Sequence, residues 1–303
     1  MKNDQLEVYE VVKVPSLFKL TLREIRADKL ALIGSIIIFL ILATVIIAAP
    51  IITTEAAARV NVRNRYAAPS WTEGGSEGHI LGTDGGGRDV LRLLIVAARN
   101  SLIIGLGVAG FSIIIGFIVG IFSGFYGGWV DMIIMRLTDT WILVPGLMFT
   151  IAMVELLPRT ITNMIILLVI FSWMGRARLI RSMALQQSNY DYVAASKTLG
   201  TRNLVIMFRE VIPNIMPVIA PDVVLTIAAT IGVETALSMI GFGLPIGTPS
   251  LGSLVSNSTV LINLQHRWWT WFPAIFLMFT LMMCINFVGQ AVQRAADPRQ
   301  RMV

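Results

Sequence analysis

Ser188-Asn-Tyr-Asp-Tyr-Val-Ala-Ala-Ser-Lys-Thr-Leu-Gly-Thr-Arg-Asn-Leu-Val-Ile-Met-Phe-Arg-Glu-Val-Ile-Pro213 is the longest interior stretch too polar to cross a bilayer, yet its pattern is that of folded chain. Ser188 followed by Asp191 predicts a capping box, with the carboxylate in the first turn where the helix dipole favours it. Ala194, Ala195 and Lys197 continue that helix, and Gly200 supplies the positive φ that ends one. A second short helix fits residues 203–212. Leu204, Val205, Phe208 and Ile212 recur on one side of it at helical spacing, with Arg202 and Arg209 elsewhere. Pro213 is expected to stop this helix and turn the chain into a new apolar run. On pattern alone, an amphipathic element lying on a lipid surface fits as well as a projection offered to a partner.

The rest of the chain decides what the stretch interrupts. Of 303 residues, 55% are hydrophobic and 14% charged, and the mean hydropathy is +0.76. A soluble domain has too little interior to hide that much apolar surface, so the class is an all-α protein that crosses a membrane several times. The net charge of +6 is not a nucleic-acid signature, because the basic residues gather at the ends of apolar runs. Cys284 is the single cysteine, which excludes an intrachain disulfide and a cysteine metal cluster and predicts a buried packing thiol.

Before the stretch, residues 1–29 form a basic segment whose last part, from Leu17, predicts an amphipathic helix on the membrane. Leu30 to Ala49 is a first span, closed by Pro50; at ~1.5 Å per residue it reaches across a core of roughly 30 Å, and its length argues against a cleaved leader. Residues 51–100 are polar and glycine-rich. Within them, His79-Ile-Leu-Gly82-Thr-Asp84-Gly-Gly-Gly-Arg88-Asp89-Val-Leu91 lacks the Gly-Lys-Ser/Thr of a phosphate loop, so a turn held by Asp84, Arg88 and Asp89 is the reading. The second span, about 102–122, carries Ser112, Gly116, Gly120 and Gly124 at four-residue intervals. That is a close-packing face, either within the subunit or against a sister subunit. Gly127-Gly128-Trp129-Val130-Asp131 makes a reversal into a third span, in which Arg136 and Asp139 are spaced to pair. The fourth span centres on 165–173, and Arg176, Arg178 and Arg181 mark its exit.

After the stretch comes the fifth span, about 215–240. Asp222, Thr226, Thr230, Glu234 and Ser238 recur along it every fourth residue as one polar stripe. Such groups are costly against lipid, so the stripe is expected to face protein or water, as a buried network or as one wall of a translocation path. Pro217 and Pro221 offer a hinge near its start. Trp268, Trp269 and Trp271 beside Arg267 predict an interfacial aromatic belt ahead of the sixth span, about 272–288. With the N-terminus inside, sixteen Lys and Arg fall on inner segments against eight on outer ones, which places both termini and the 188–213 loop in the cytoplasm.

Several chemistries have no residues to carry them. There is no phosphate-binding loop, no His-Glu-x2-His and no Gly-x-Ser-x-Gly, and the histidines are His79 and His266 alone. No catalytic, metal or cofactor site is predicted.

Ala194-Ala195 with Gly200, followed by the apolar stretch ending in Ile212-Pro213, resembles the signature loop of ABC importer permeases. That family loop begins Glu-Ala-Ala, keeps a glycine after three intervening residues, and docks on an ATPase subunit; read on the alanine pair, Val193 stands at the glutamate position. The Gly82–Asp89 segment, Tyr126–Asp131, Leu237–Gly243 with Pro249-Ser250, and Asp297-Pro298-Arg299 also resemble the C-type permease of bacterial oligopeptide and dipeptide ABC importers. The resemblance implies a type I importer fold of about six helices: a first span at 30–50, a permease core of five spans over 101–293, a coupling helix pair at 188–213, and a tail at 294–303. It implies that Ala194, Ala195, Gly200, Leu204, Phe208 and Pro213 make the ATPase contact. The implied partners are a homologous permease in a heterodimer, two ATPase subunits holding ATP and Mg, and an extracytoplasmic binding protein that delivers peptide. The implied location is the bacterial cell membrane. A nickel or other small-solute importer of the same family is the alternative. A secondary transporter is less favoured, because no repeated halves are visible.

Overall fold

Apolar runs long enough to cross a bilayer, separated by glycine, proline and charge, dictate a bundle of helices, and that is what the computed structural model contains. It describes residues 17–297 apart from 74 and 246. Most of the expected 1–29 segment, including Lys2 and Lys13, and the Pro298-Arg299 end of the tail lie outside the described residues.

The chain opens with α1 (Leu17–Ala27) and, one residue later, α2 (Lys29–Ala48), capped by the Asp28 carboxylate on the Leu30 N–H at 2.9 Å. A short α3 (Thr54–Ala58) follows, then the Asp84 turn. The Asp84 carboxylate accepts from the Gly86 N–H (2.9 Å), the Arg88 N–H (3.0 Å) and the Arg88 Nε (2.8 Å). Asp89 caps the next helix through the Arg92 N–H at 3.0 Å and holds His79 Nδ1 at 2.8 Å. The turn is thus held by the three residues the sequence named.

That helix, α4 (Val90–Tyr126), has 37 residues and so begins three turns inside the segment read as loop. At ~1.5 Å per residue it is about 55 Å long, well beyond the hydrocarbon core, so its first turns stand clear and carry Arg92 and Arg99. Gly127, at φ +62°, ends it. The third span is a bent pair, α5 (Gly128–Ile142) and α6 (Gly146–Leu156), meeting at 73°. Pro145 sits at the break and biases Val144 away from helix.

α7 (Ile161–Ser188) carries Arg176, Arg178 and Arg181 within the helix rather than after it. Arg136 does not pair with Asp139; Arg178 reaches Asp139 at 2.5 Å, because α5 lies alongside α7. Two short helices, α8 (Asp191–Thr198) and α9 (Asn203–Ile206), lead into α10 (Ile212–Met239). The far end is closed by α11 (Leu251–Val255) and α12 (Leu261–His266), and α13 (Phe272–Ala296) returns the chain. Beside α12, Trp269 Nε1 donates to the Thr83 carbonyl at 3.1 Å and Trp271 Nε1 to the Asn263 carbonyl at 3.1 Å, so two of the belt tryptophans staple the segments at this end of the bundle.

Among the described residues, five helices are long and apolar enough to cross a membrane, and the bent pair makes six if it is one span. Packing supports the sixth. Gly107 of α4 lies on Ile165 of α7, Gly116 on Trp173 and Gly124 on Arg181, so the two helices run parallel. Parallel neighbours require the intervening chain to travel back along the bundle, which is what α5 and α6 do together. α13 runs antiparallel to both α10 and α2 and ends where Arg294 bonds Asp28. The described ends therefore lie together, at the same end of the bundle as the 188–213 loop.

The small-residue ladder packs inside the subunit. A Cβ on Gly116 would stand 2.9 Å from the Trp173 carbonyl oxygen, and one on Gly120 2.5 Å from that of Ala177. In lipid such close approach is a main source of helix association. Cys284 is buried against Gly34, consistent with a packing thiol.

Candidate functional site

The 188–213 loop is built around one glycine. α8 ends in a Schellman motif: the Gly200 N–H bonds the Lys197 carbonyl at 3.0 Å and the Thr201 N–H bonds that of Ser196 at 3.1 Å. Gly200 has φ +81°, and a Cβ there would meet nothing within 4 Å. Backbone conformation, not crowding, therefore requires glycine. The expected capping box does not form. Ser188 is still in α7, its hydroxyl bonding the Leu185 carbonyl at 2.9 Å, and Tyr190 precedes α8 without a side-chain cap. Asp191 does sit in the first turn of α8.

The two short helices fold back on each other and close over an apolar seam. Val193, Ile206, Met207 and Val211 are fully buried against Ile121, Phe125, Ile180 and Ile215 of the long helices. Ser196 locks the pair by donating to the Glu210 carboxylate, at 2.8 Å from one oxygen and 3.0 Å from the other. Large apolar side chains also face outward: Leu199 is 85% exposed, Phe208 60% and Leu204 50%, with Ala194 and Ala195 exposed, among the exposed polar residues Lys197, Arg202 and Arg209. Five of the six residues read as the contact patch thus share one protruding unit.

Pro213 is the exception, since it does not stop the second helix. Residues Met207–Val211 form a π turn, with the Ile212 N–H bonding the Met207 carbonyl, and the helix continues directly into α10. A proline has no N–H to give and crowds the carbonyl four residues back; a widened turn just before it relieves both demands. Pro217 and Pro221 likewise lie inside α10 without breaking it.

The residue register of the loop also needs correction. Four residues, not three, separate Ala195 from Gly200. Aligning on the glycine puts the glutamate position at Ala194, which is exposed, and leaves Val193 as a buried anchor. A carboxylate at 193 would be unpaired in an apolar seam, whereas at 194 it would meet solvent or a partner.

The α10 stripe is a single line that turns toward protein along most of its length, and it divides into two clusters. Near the loop, Asp222 pairs with Arg176 Nε of α7 at 2.8 Å, and Arg176 also donates to Thr226 and to the Ser172 carbonyl. Thr226 and Thr230, with Ser172 and Arg176, line a cavity of about 260 Å³ between α7 and α10. At the far end Glu234, 1% exposed, accepts from Ser238 at 2.8 Å and from Ser250 at 2.6 Å. Ser250 caps α11 in a capping box with Ser253, and the Leu251 N–H bonds Ser101 of α4 at 3.0 Å. Arg176, Ser101 and Ser250 were not singled out from sequence as partners of the stripe. Arg176 carried a signal, since a lone guanidinium on an apolar helix needs an acceptor. The serines carried none, because a hydroxyl in a helix satisfies itself on its own backbone.

The arrangement is an apolar projection fixed to one end of a long helix, with polar ties from that helix to its neighbours. Residues 16–69 match the N-terminal transmembrane domain of oligopeptide transport permease C. The chain is 40% identical over 278 residues to the oligopeptide transport system permease protein of Lactococcus lactis subsp. cremoris, covering 91% of this chain and 93% of that one. It is 36% identical over 286 residues to the corresponding protein of Bacillus subtilis, covering 94% and 91%, and 33% identical over 279 residues to the dipeptide transport system permease of the same organism, covering 92% and 85%. With residues 116–302 matching its family model, the chain belongs to the binding-protein-dependent transport system inner membrane components, as an all-helical, multi-pass permease.

Proposed function

We propose that this chain is the C-type permease subunit of an ATP-driven peptide importer. It forms the path with a homologous permease, and it is driven by two ATPase subunits that hold ATP and Mg. An extracytoplasmic binding protein delivers the peptide. Both termini and the 188–213 loop face the cytoplasm, in keeping with the charge balance across the spans. The relatives are named for oligopeptide and dipeptide transport, which favours peptides over nickel and other small solutes.

The observation that carries this reading is the exposed apolar face of Leu199, Leu204 and Phe208 on a locked helix pair. Burying Leu204 and Phe208 in a groove on the ATPase contributes about 1.5–3 kcal/mol each in transfer terms. Because α9 runs through the π turn into α10, movement of the docked pair is delivered to the helix that carries Asp222, Thr226, Thr230, Glu234 and Ser238. We assign the half of that stripe beside the α7–α10 cavity, Asp222, Thr226 and Thr230, to the wall of the translocation path, and the buried Glu234 and Ser238 to the ties that hold the far end.

The test is ATPase co-purification and ATP-driven uptake by the intact complex, each normalised to permease amount. Phe208→Ala is expected to cost on the order of 2–4 kcal/mol of association, enough to lower ATPase recovery more than tenfold. Gly200→Val, strained at positive φ, is expected to misaim α9 and lower both readouts. Wild-type values for both variants would show that the pair is only a surface helix.

A further inference from the structure

α1 keeps one side open. It packs on α13 and α2, with Leu20, Thr21, Glu24 and Ile25 half-buried. Successive residues step round a helix by about 100°, so the exposed residues fall into two adjoining strips. Phe18 and Leu22, 76% and 39% exposed, form one strip. Lys19, Arg23 and Arg26 form the next, all exposed. Among the described residues these three cations make no ion pair, and Glu24, the one acid of α1, lies on the side away from them.

Position supplies the second argument. Asp28 alone joins α1 to α2, and α2 is apolar from its second residue onward. α1 is therefore held at the level where hydrocarbon gives way to headgroups. Like the Phe18–Leu22 strip, α2 exposes apolar side chains, among them Leu30, Ile33 and Phe39. An apolar strip beside a cationic one suits a helix lying in that layer, its rings in the acyl boundary and its charges on phosphates. A protein groove would have to match both strips and also lie flush with α2; the lipid leaflet does so by construction.

We propose that α1 is a binding surface for anionic phospholipid, with Phe18 and Leu22 inserted and Lys19, Arg23 and Arg26 selecting the headgroup charge. The proposal is independent of what the permease carries.

The test places a bimane label at position 22 (Leu22→Cys in a Cys284→Ala chain) within the intact complex. The complex sits in nanodiscs of phosphatidylcholine containing roughly one-third phosphatidylglycerol, the anionic fraction that sets the surface field. Quenching by spin-labelled phosphatidylglycerol is compared with quenching by spin-labelled phosphatidylcholine at equal content, and with quenching by aqueous iodide. Stronger quenching by the anionic lipid is expected, with iodide excluded. The preference is expected to fall by roughly five-fold or more in Lys19→Gln/Arg23→Gln/Arg26→Gln. Quenching by phosphatidylcholine should persist in that variant, showing that the helix is still seated. Equal quenching by both lipids would overturn the headgroup selection. Free access of iodide would overturn the membrane seat, and protection from all three quenchers would show that a protein covers the strip.

Discussion

Gly120 and Asp28 show how single residues set this structure. A methyl group at Gly120 would lie 2.5 Å from the Ala177 carbonyl oxygen and 2.8 Å from the Ile180 Cβ, so the helices must part to admit one. Gly120→Val is therefore expected to destabilise the permease by about 1–3 kcal/mol or more, read as earlier loss of the monodisperse species on heating in detergent. Gly110→Val is the control on the same helix, since a Cβ there meets nothing within 4 Å, and it is expected to change little. Asp28 acts through charge. The Leu30 N–H, and after it the Ala31 N–H and the Arg294 guanidinium, hold its carboxyl below the usual carboxylate range. A lowered folded pKa adds stability above the ordinary value near 3.8 that is lost as pH falls through the folded one. Asp28→Asn is expected to remove that acid-side loss and to lower stability slightly at neutral pH, as measured by thermal melts between pH 3 and 7. The glycine ladder was legible in the sequence because a four-residue period is written in the chain itself. Its partner was not, because nothing in α4 says which neighbour will offer its carbonyls.

Among the elements, α10 joins regions that sequence reasoning kept apart. Pro213 reads as a stop under local rules, and the π turn that overrides it depends on the seam beneath Met207 and Val211, which is tertiary. The five-residue stripe was legible because period four on an apolar helix is a local pattern. Its division into an arginine-paired half and a serine-clasped half was not, since Arg176, Ser101 and Ser250 come from other helices. At the far end, Glu234 ties α10 to α11 through the Ser250 hydroxyl, and Ser238 of α10 itself donates to the same carboxylate. Glu234→Ala would leave Ser238 and Ser250 buried without their acceptor, at about 1–3 kcal/mol for the lost bonds, whereas Glu234→Gln keeps one carbonyl oxygen for them. The expected order of protease resistance of the 241–270 segment is wild type, then Gln, then Ala. Equal resistance in all three would show that α11 is held without Glu234, by Ser101 and its own capping box.

For the whole molecule, the helix path puts the 188–213 loop and the loop ahead of α4 at opposite ends of the bundle. A Thr198→Cys label site at the loop end and a Ser76→Cys site at the other, each in a Cys284→Ala chain, are expected to react oppositely with an impermeant maleimide: position 76 in intact cells, position 198 only after the cells are opened. The reverse pattern would invert the membrane assignment and leave the loop out of reach of any cytoplasmic motor. The six crossings were countable from apolar runs, but the bend of the third was hidden, since a 73° break between two short helices has the same composition as a straight span. The α4–α7 seam has a mechanical consequence. Glycines one turn apart, each seated over a carbonyl of the facing helix, act as the teeth of a rack with a pitch of about 6 Å. A rack cannot creep: it skips a whole tooth or stays engaged. Any shift smaller than one tooth is therefore expected to be a rotation, with α4 and α7 swinging as one beam.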